Sequence, residues 1–152
     1  MRMAQTLTRL LVHVIFSTKN RTNLIGPAIE PDLYAYIGGI CRNADSPLLC
    51  AGGTTNHLHI LISLSKTQAL ANLMMDIKKA TSKWIKTKDI HLADFQWQEG
   101  YGGFTIGESQ VDDLKRYIDR QKEHHRTTTF EEEYVTFLKK YNAPYDDRHL
   151  WT

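Results

Sequence analysis

The strand-like run from His57 to Leu64 constrains the fold more than any other part of the chain. Apolar residues take every second position from Leu58 onward, and His57 and His59 take the positions beside them. Side chains alternate across a β-strand, so one face of this strand suits a buried core and the other carries both imidazoles. The turn-rich sequence GGTTN at residues 52–56 predicts a β-hairpin, with its glycine pair near the turn and an earlier strand over residues 47–51.

The remaining elements predicted from periodicity surround this hairpin. Residues 10–17 are a predicted strand, and residues 95–97 with 104–106 form a broken fourth strand around a glycine-rich kink. Apolar residues at helical spacing predict helices over residues 31–42, 69–84 and 109–125, the last capped by Ser109, and an amphipathic segment over residues 130–141. The order predicts an α+β fold of the ferredoxin-like (RRM-like) type, β-α-β-β-α-β with an antiparallel sheet and a C-terminal catalytic helix. Both imidazoles should then lie on the sheet face away from the first two helices.

Length and composition limit the class of protein. A chain of 152 residues predicts a single domain, 1–152, and 41% apolar with 24% charged residues is ordinary for a globular chain. The net charge of +2 is low for a dedicated DNA binder, so any basic surface must be local. Cys41 and Cys50 have neither metal-ligand nor disulfide spacing. No stretch approaches the roughly 20 apolar residues that cross a bilayer, so we expect a cytoplasmic protein without membrane contact.

The pair His57 and His59 is the first candidate for chemistry. Two imidazoles on one strand face can converge on a single cation. The alternative is two surface histidines on a half-exposed sheet, and a His-x-His pair alone does not separate the two interpretations.

A second set of polar residues lies on the predicted helix 109–125. Tyr117 and Gln121 are four residues apart and share a helix face, and His124 follows two turns after Tyr117. Taken alone, the same pattern describes an amphipathic helix with a tyrosine at the edge of the core.

Positive charge is concentrated after the first strand and on the second helix. These residues could neutralise phosphates, although lysines on an amphipathic helix are more often simply its solvated face. The candidates for DNA binding are Lys19, Arg21, Lys78, Lys79 and Lys83.

Taken together and in order, these motifs resemble the single-tyrosine HUH transposases of bacterial and archaeal insertion sequences. The match spans roughly residues 8–145, the core of the predicted domain. It rests on NHLHILI at residues 56–62, Tyr-x-x-x-Gln from Tyr117 to Gln121, EHH at residues 123–125, YGGFTI at residues 101–106 and VHVIFSTKNR at residues 12–21.

The resemblance implies a mechanism and a set of site residues. His57, His59 and the amide oxygen of Gln121 would hold a divalent ion, Mg²⁺ or Mn²⁺, which polarises the scissile phosphate. Tyr117 would attack the phosphorus to form a 5′-phosphotyrosine and a free 3′-OH. Possible auxiliary residues are His124, His125 and His13.

The resemblance also implies the partners. Family members bind imperfect single-stranded DNA hairpins at element ends, and their tyrosine helix typically crosses to the other subunit of a homodimer. Tyr117 and Gln121 of one chain would then complete an active site with His57 and His59 of its partner.

Three other interpretations stay open from the sequence. One is a domesticated relative that acts on chromosomal palindromic repeats. Another is a non-catalytic ferredoxin-like module that binds single-stranded nucleic acid, which would carry exposed aromatic residues on the sheet face. The third is a metal-dependent nuclease that uses water, with Tyr117 structural.

Overall fold

A computed structural model describes residues 4–151, so the first three residues and the last residue of the predicted domain lie outside the description. Four strands form one antiparallel sheet in the order β2-β3-β1-β4, which is the predicted ferredoxin-like α+β arrangement. The strands are β1 (Leu10–Ser17), β2 (Leu48–Gly53), β3 (His57–Leu64) and β4 (Gly102–Thr105). The helices are α1 (Glu30–Asn43), α2 (Leu70–Lys86), α3 (Val111–Asp119), α4 (Gln121–His124) and α5 (Phe130–Lys140).

The first face of the sheet is the main hydrophobic core. Alternate residues of β1 and β3 point into it, among them Val14 and Ile60, and α1 and α2 cover them with side chains such as Ile37 and Ile77. Each fully buried aliphatic side chain of this kind contributes roughly 1.5–3 kcal/mol through the hydrophobic effect. This core holds the ends of β1 and β3 in register, with Ser17 opposite His57.

The second face of the sheet is also covered, although the sequence allowed it to be half exposed. His57 and His59 point away from α1 and α2 as predicted, but both are fully buried. The C-terminal helices form a third layer over them. From α3, Ile118 packs on β2 and β3, and from α5, Phe130 packs near Ile15 of β1.

Two glycines predicted to lie in the hairpin turn are instead part of strand β2, and the turn is formed by residues 54–56. A Cβ atom on Gly52 would lie 2.5 Å from the carbonyl oxygen of Ile118, and one on Gly53 would lie 2.1 Å from that of His57. The glycines therefore permit close backbone approach, which is the usual meaning of glycine inside a strand. Through Gly52, β2 lets α3 sit directly against the sheet.

The fourth strand is shorter than predicted. Residues 95–97 make only an isolated bridge, between Trp97 and Thr18, and the ordered strand is β4. Phe95 and Trp97 are buried in the main core, where the indole N–H of Trp97 donates to Thr81 Oγ1 at 2.9 Å. Between the two segments Gly100 has a φ of 78°, a left-handed conformation that suits glycine and ends the pairing.

The helix predicted over residues 109–125 differs from the prediction at its start and near its middle. A 3-10 turn at Glu108–Gln110 precedes α3, so Ser109 lies within this turn and does not cap the helix. Oε1 of Gln110 accepts the Gly107 N–H at 2.9 Å. The helix breaks at Arg120 and resumes as α4. By contrast, α5 begins close to its predicted start, with a capping box in which Thr129 and Glu132 exchange hydrogen bonds.

Within residues 4–151, no helix combines the length and the apolar character that crossing a membrane requires.

Candidate active site

The start of β3 supplies two imidazoles to one buried point on the sheet. His57 and His59 are two residues apart on an antiparallel strand, so both side chains project from the same face. Nδ1 of His59 lies 2.8 Å from Nε2 of His13 on the neighbouring strand β1. Burial lowers the pKa of His59 to about 4 and that of His13 to about 3, so both rings are neutral near pH 7. A neutral imidazole is the form that binds metal ions.

The segment α3–α4 brings Tyr117 and Gln121 to the same point. Oε1 of Gln121 lies 2.9 Å from Nε2 of His57, and the ring centre of Tyr117 lies 5.8 Å from that of His59. The four-residue spacing thus keeps both side chains on one face although the helix breaks between them. His124 also stays close, with its ring centre 5.3 Å from that of Tyr117.

A carboxylate that the sequence analysis missed, Glu133 of α5, occupies the centre of this group and is 3% exposed. Its Oε1 lies 2.8 Å from Nε2 of His59, 3.1 Å from Nε2 of His125 and 3.5 Å from Nε2 of His57. Its Oε2 accepts hydrogen bonds from the hydroxyl of Tyr117 and, at 3.1 Å, from Nε2 of Gln121.

Glu133 could have been suspected from its position in the amphipathic segment 130–141. It follows Phe130 by three residues and precedes Phe137 by four, so it lies on the apolar face of that helix. A charged residue on a buried helix face is unusual unless it is paired. The sequence could not show its partners, since they come from three other elements.

The charges of the site follow from this arrangement. Burial alone would raise the pKa of Glu133, but the neighbouring imidazoles of His125, His57 and His59 outweigh it and hold that pKa well below the usual value. Burial, together with the hydrogen bond to Glu133, raises the pKa of Tyr117 far above that of a free phenol. The structure therefore describes an ionised carboxylate that holds a protonated tyrosine.

Four of these side chains could hold a metal ion. Ligand atoms of His57, His59, His125 and Glu133 all lie within 4.8 Å of one another. Among the described residues, Nε2 of His125 is buried and makes no hydrogen bond, despite its proximity to Glu133. A buried nitrogen without a hydrogen-bond partner is unfavourable, and a cation ligated there would relieve that cost.

Two open grooves reach different residues of the group. One, of about 630 Å³, is lined by polar side chains that include Asn20, Thr55 and Lys122, and it reaches His125. The other, of about 410 Å³, reaches Tyr117 and His124 between Arg116 and Arg120. The site is therefore buried in its centre and approachable at both edges.

The predicted DNA-binding residues fall into three environments. Lys19, Lys78 and Lys79 line one groove of about 680 Å³ together with the loop 96–100, and Lys83 is exposed one turn further along α2. Lys78 donates to the carbonyl oxygens of Gln98, at 2.7 Å, and Gly100, and burial lowers its pKa to about 8. Arg21 donates to Gln98 Oε1 at 3.0 Å and lies over the Trp151 ring.

The sheet face that holds the site is not an open aromatic platform. A non-catalytic module that stacks bases would present exposed aromatic side chains there, whereas this face carries buried histidines under the C-terminal helices. The geometry therefore favours chemistry at this face over base stacking.

Comparisons with known proteins show the family of the chain and solved structures of similar fold. The sequence pattern of the family described as "Transposase IS200 like" matches residues 6–121. No curated protein matches the chain. A candidate transposase from Deinococcus radiodurans R1 has a similar structure, with a TM-score of 0.62 and 18% identity over 80% of this chain and 98% of that one. A REP-associated tyrosine transposase bound to a REP hairpin has a TM-score of 0.61 and 14% identity over 96% and 92% of the two chains. At these identities the structural similarity describes the fold alone.

Proposed function

Because the chain belongs to the family of IS200-like transposases, we propose that it cleaves and rejoins single-stranded DNA through a covalent bond to Tyr117. One observation carries the proposal. The Tyr117 hydroxyl, the Gln121 amide and the imidazoles of His57 and His59 surround one carboxylate within a single chain. We also propose that it acts in the cytoplasm, as the resemblance to transposases of bacterial and archaeal insertion sequences implies.

In the proposed reaction, the phenolic oxygen of Tyr117 attacks the scissile phosphorus. The new bond is Tyr117 O–P, the bond broken is P–O3′, and the upstream strand leaves with a free 3′-OH. A phenol is a weak nucleophile at neutral pH, so it must lose its proton as it attacks. The linkage to the 5′-phosphate keeps the free energy of the phosphodiester, so a DNA 3′-OH can reverse the step without ATP.

His57, His59 and Gln121 are the proposed ligands of a divalent ion, Mg²⁺ or Mn²⁺. Neutral His59, the Gln121 oxygen beside His57 and the buried nitrogen of His125 fit such an ion chemically. When bound, the ion supplies Lewis-acid polarisation of the phosphate, an effect worth several kcal/mol.

The proposed substrate is a single-stranded DNA hairpin. The transposase of similar fold was solved with a REP hairpin, and this chain has a lysine-lined groove that could contact a phosphate backbone. The DNA that flanks the gene would distinguish hairpins of a mobile element from hairpins of chromosomal repeats. Palindromes on both sides of the gene would point to a mobile element.

The groove gives a prediction about DNA binding. Lys79→Ala should weaken hairpin binding a few-fold at about 0.1 M salt and lower the slope of log affinity against log salt by roughly 0.7–0.9, the value for one lost phosphate contact. Fluorescence anisotropy over a salt series measures both quantities. Lys66→Ala is the matched control, because Lys66 is exposed beyond the far end of β3. An unchanged slope for Lys79→Ala would remove this groove from the binding surface.

The polarity of the covalent bond tests the function itself. With Mn²⁺ and a hairpin oligonucleotide labelled at its 3′ end, we expect a denaturation-resistant protein–DNA adduct that carries the label. The same oligonucleotide labelled at its 5′ end should release a free labelled strand. An adduct with the opposite label, or cleavage without any adduct, would contradict the proposed phosphotyrosine reaction.

The structure makes exchange of the tyrosine helix between subunits unnecessary for assembling the site, since Tyr117 lies beside His59 of its own chain. We therefore propose that Tyr117 acts in cis. A homodimer remains a prediction from the family.

A further inference from the structure

Glu133 and His125 both lie outside the part of the chain that the family pattern matches, which ends at residue 121. They nevertheless stand at the centre of the site. Glu133 contacts the side chains of every residue proposed above for metal binding or attack, namely His57, His59, Gln121 and Tyr117. A helix beyond the family core therefore reaches into its active centre.

The two carboxylate oxygens of Glu133 face different partners. Oε1 faces three imidazole nitrogens, those of His59, His125 and His57, at 2.8, 3.1 and 3.5 Å. Oε2 faces the tyrosine hydroxyl and the amide N–H of Gln121, with His124 at 3.4 Å. Oε1 thus contacts imidazoles that could bind a metal ion, and Oε2 contacts the proposed nucleophile.

The contact with Gln121 decides which way that amide points. With its Nε2 donating to Glu133, the amide presents its oxygen to His57. The oxygen is the only atom of that amide that can ligate a metal ion, and the orientation of an amide is set by its hydrogen bonds. Glu133 therefore selects the orientation of Gln121 that the proposed function requires.

Aromatic residues of α5 pack on histidines of the sheet. The ring centre of Phe130 lies 4.7 Å from that of His57, and the ring centre of Phe137 lies 5.2 Å from that of His13. Both aromatic residues flank Glu133 on one helix face. Any ligand that engages Glu133 also fixes α5 against the sheet.

We propose that Glu133 and His125 complete the metal site, so that α5 is a working part of the active centre and its docking is linked to metal binding. The inference rests on the proposed function. Its chemistry is a set of imidazoles with one carboxylate, a donor set that suits a first-row transition ion such as Mn²⁺ better than Mg²⁺, which prefers oxygen ligands. Through Oε2, Glu133 is also a positioning residue for Tyr117 and Gln121.

The test compares Mn²⁺ binding by the wild-type protein, Glu133→Gln and Glu131→Gln. Glu133→Gln keeps the size of the side chain and removes its charge. Glu131→Gln removes the same charge from an exposed position in the same helix turn. By titration calorimetry without DNA, we expect Glu133→Gln to weaken Mn²⁺ binding at least about tenfold, since even partners that only support a metal ligand cost 10–100-fold. Glu131→Gln should bind as the wild type does.

Hydrogen exchange provides a second readout that does not depend on activity. Mn²⁺ should slow exchange of the α5 amides in the wild type and in Glu131→Gln, but not in Glu133→Gln. If Glu133→Gln does not fold, His125→Gln serves instead, because the His125 side chain is less buried than that of Glu133 and the same loss of Mn²⁺ affinity is expected.

The inference would be overturned if Glu133→Gln bound Mn²⁺ as tightly as the wild type does. It would also be overturned if Mn²⁺ did not change hydrogen exchange of the α5 amides in the wild type. That result would leave the transposase function intact as long as the wild type still forms its DNA adduct through Tyr117. If the wild type forms no DNA adduct although Mn²⁺ still slows hydrogen exchange of α5, the proposed cleavage reaction is wrong and the proposed metal site stands.

Discussion

Replacement of Tyr117 by phenylalanine is expected to reduce cleavage of hairpin DNA by at least about a thousandfold and to abolish the covalent adduct. The substitution removes a single oxygen atom, the nucleophile of the proposed reaction, and loss of a nucleophile costs an enzyme most of its rate enhancement. Gel assays of labelled oligonucleotides measure cleavage and adduct formation together. Hairpin affinity should change little, because the proposed binding lysines lie elsewhere.

The matched control is Tyr36→Phe, the same chemical change on α1 at the other side of the sheet, where Tyr36 stacks on Trp84. It should cleave normally. Tyr117 also donates to Glu133, so a thermal melt of Tyr117→Phe is needed to show that it folds. A folded Tyr117→Phe that still cleaves would establish a water-dependent nuclease with a structural tyrosine.

The second large effect is expected from His57→Ala, which should reduce metal-dependent cleavage by at least about a hundredfold. The metal's contribution of several kcal/mol corresponds to two or more factors of ten in rate. Hairpin binding should be largely intact, since His57 is buried between the sheet and the C-terminal helices. Cleavage and Mn²⁺ affinity are measured on the same preparation, with His91→Ala, an exposed histidine, as the control. Unchanged cleavage would exclude His57 from the metal site.

A mixture of the two inactive variants decides where Tyr117 acts. If each site is built from one chain, as the contact between Tyr117 and His59 indicates, Tyr117→Phe and His57→Ala remain inactive together. Recovery of cleavage on mixing would show that tyrosines are exchanged between the subunits of a dimer.

The local periodicities of the sequence were sufficient to predict the placement of several site residues. Alternation along β3 requires His57 and His59 to share a face, and the pairing of β1 with β3 adds His13 to it. The spacing of Tyr117 and Gln121 brings them together in spite of the break at Arg120, because the helix resumes at once. Such placements follow from the geometry of one or two elements.

What the sequence could not predict depends on contacts between distant elements. The burial of the imidazoles comes from α5, whose amphipathic pattern does not say which face of the sheet it covers. Glu133 was missed for the same reason, and the glycines of β2 were interpreted as a turn because their true neighbour, Ile118, is far away in sequence. Patterns within an element reveal its exposed and buried sides, and only the tertiary structure reveals what lies against them.

The distribution of the site along the chain also bears on the synthesis of the protein. Its residues begin at His13 on β1 and end at Glu133 on α5, and a ribosome adds about 5–20 residues per second from the N-terminus. The histidines of β1 and β3 are therefore synthesised several seconds before the helix that covers them. A nascent chain in which α5 has not yet been synthesised therefore lacks Glu133 and has no complete centre for the proposed cleavage.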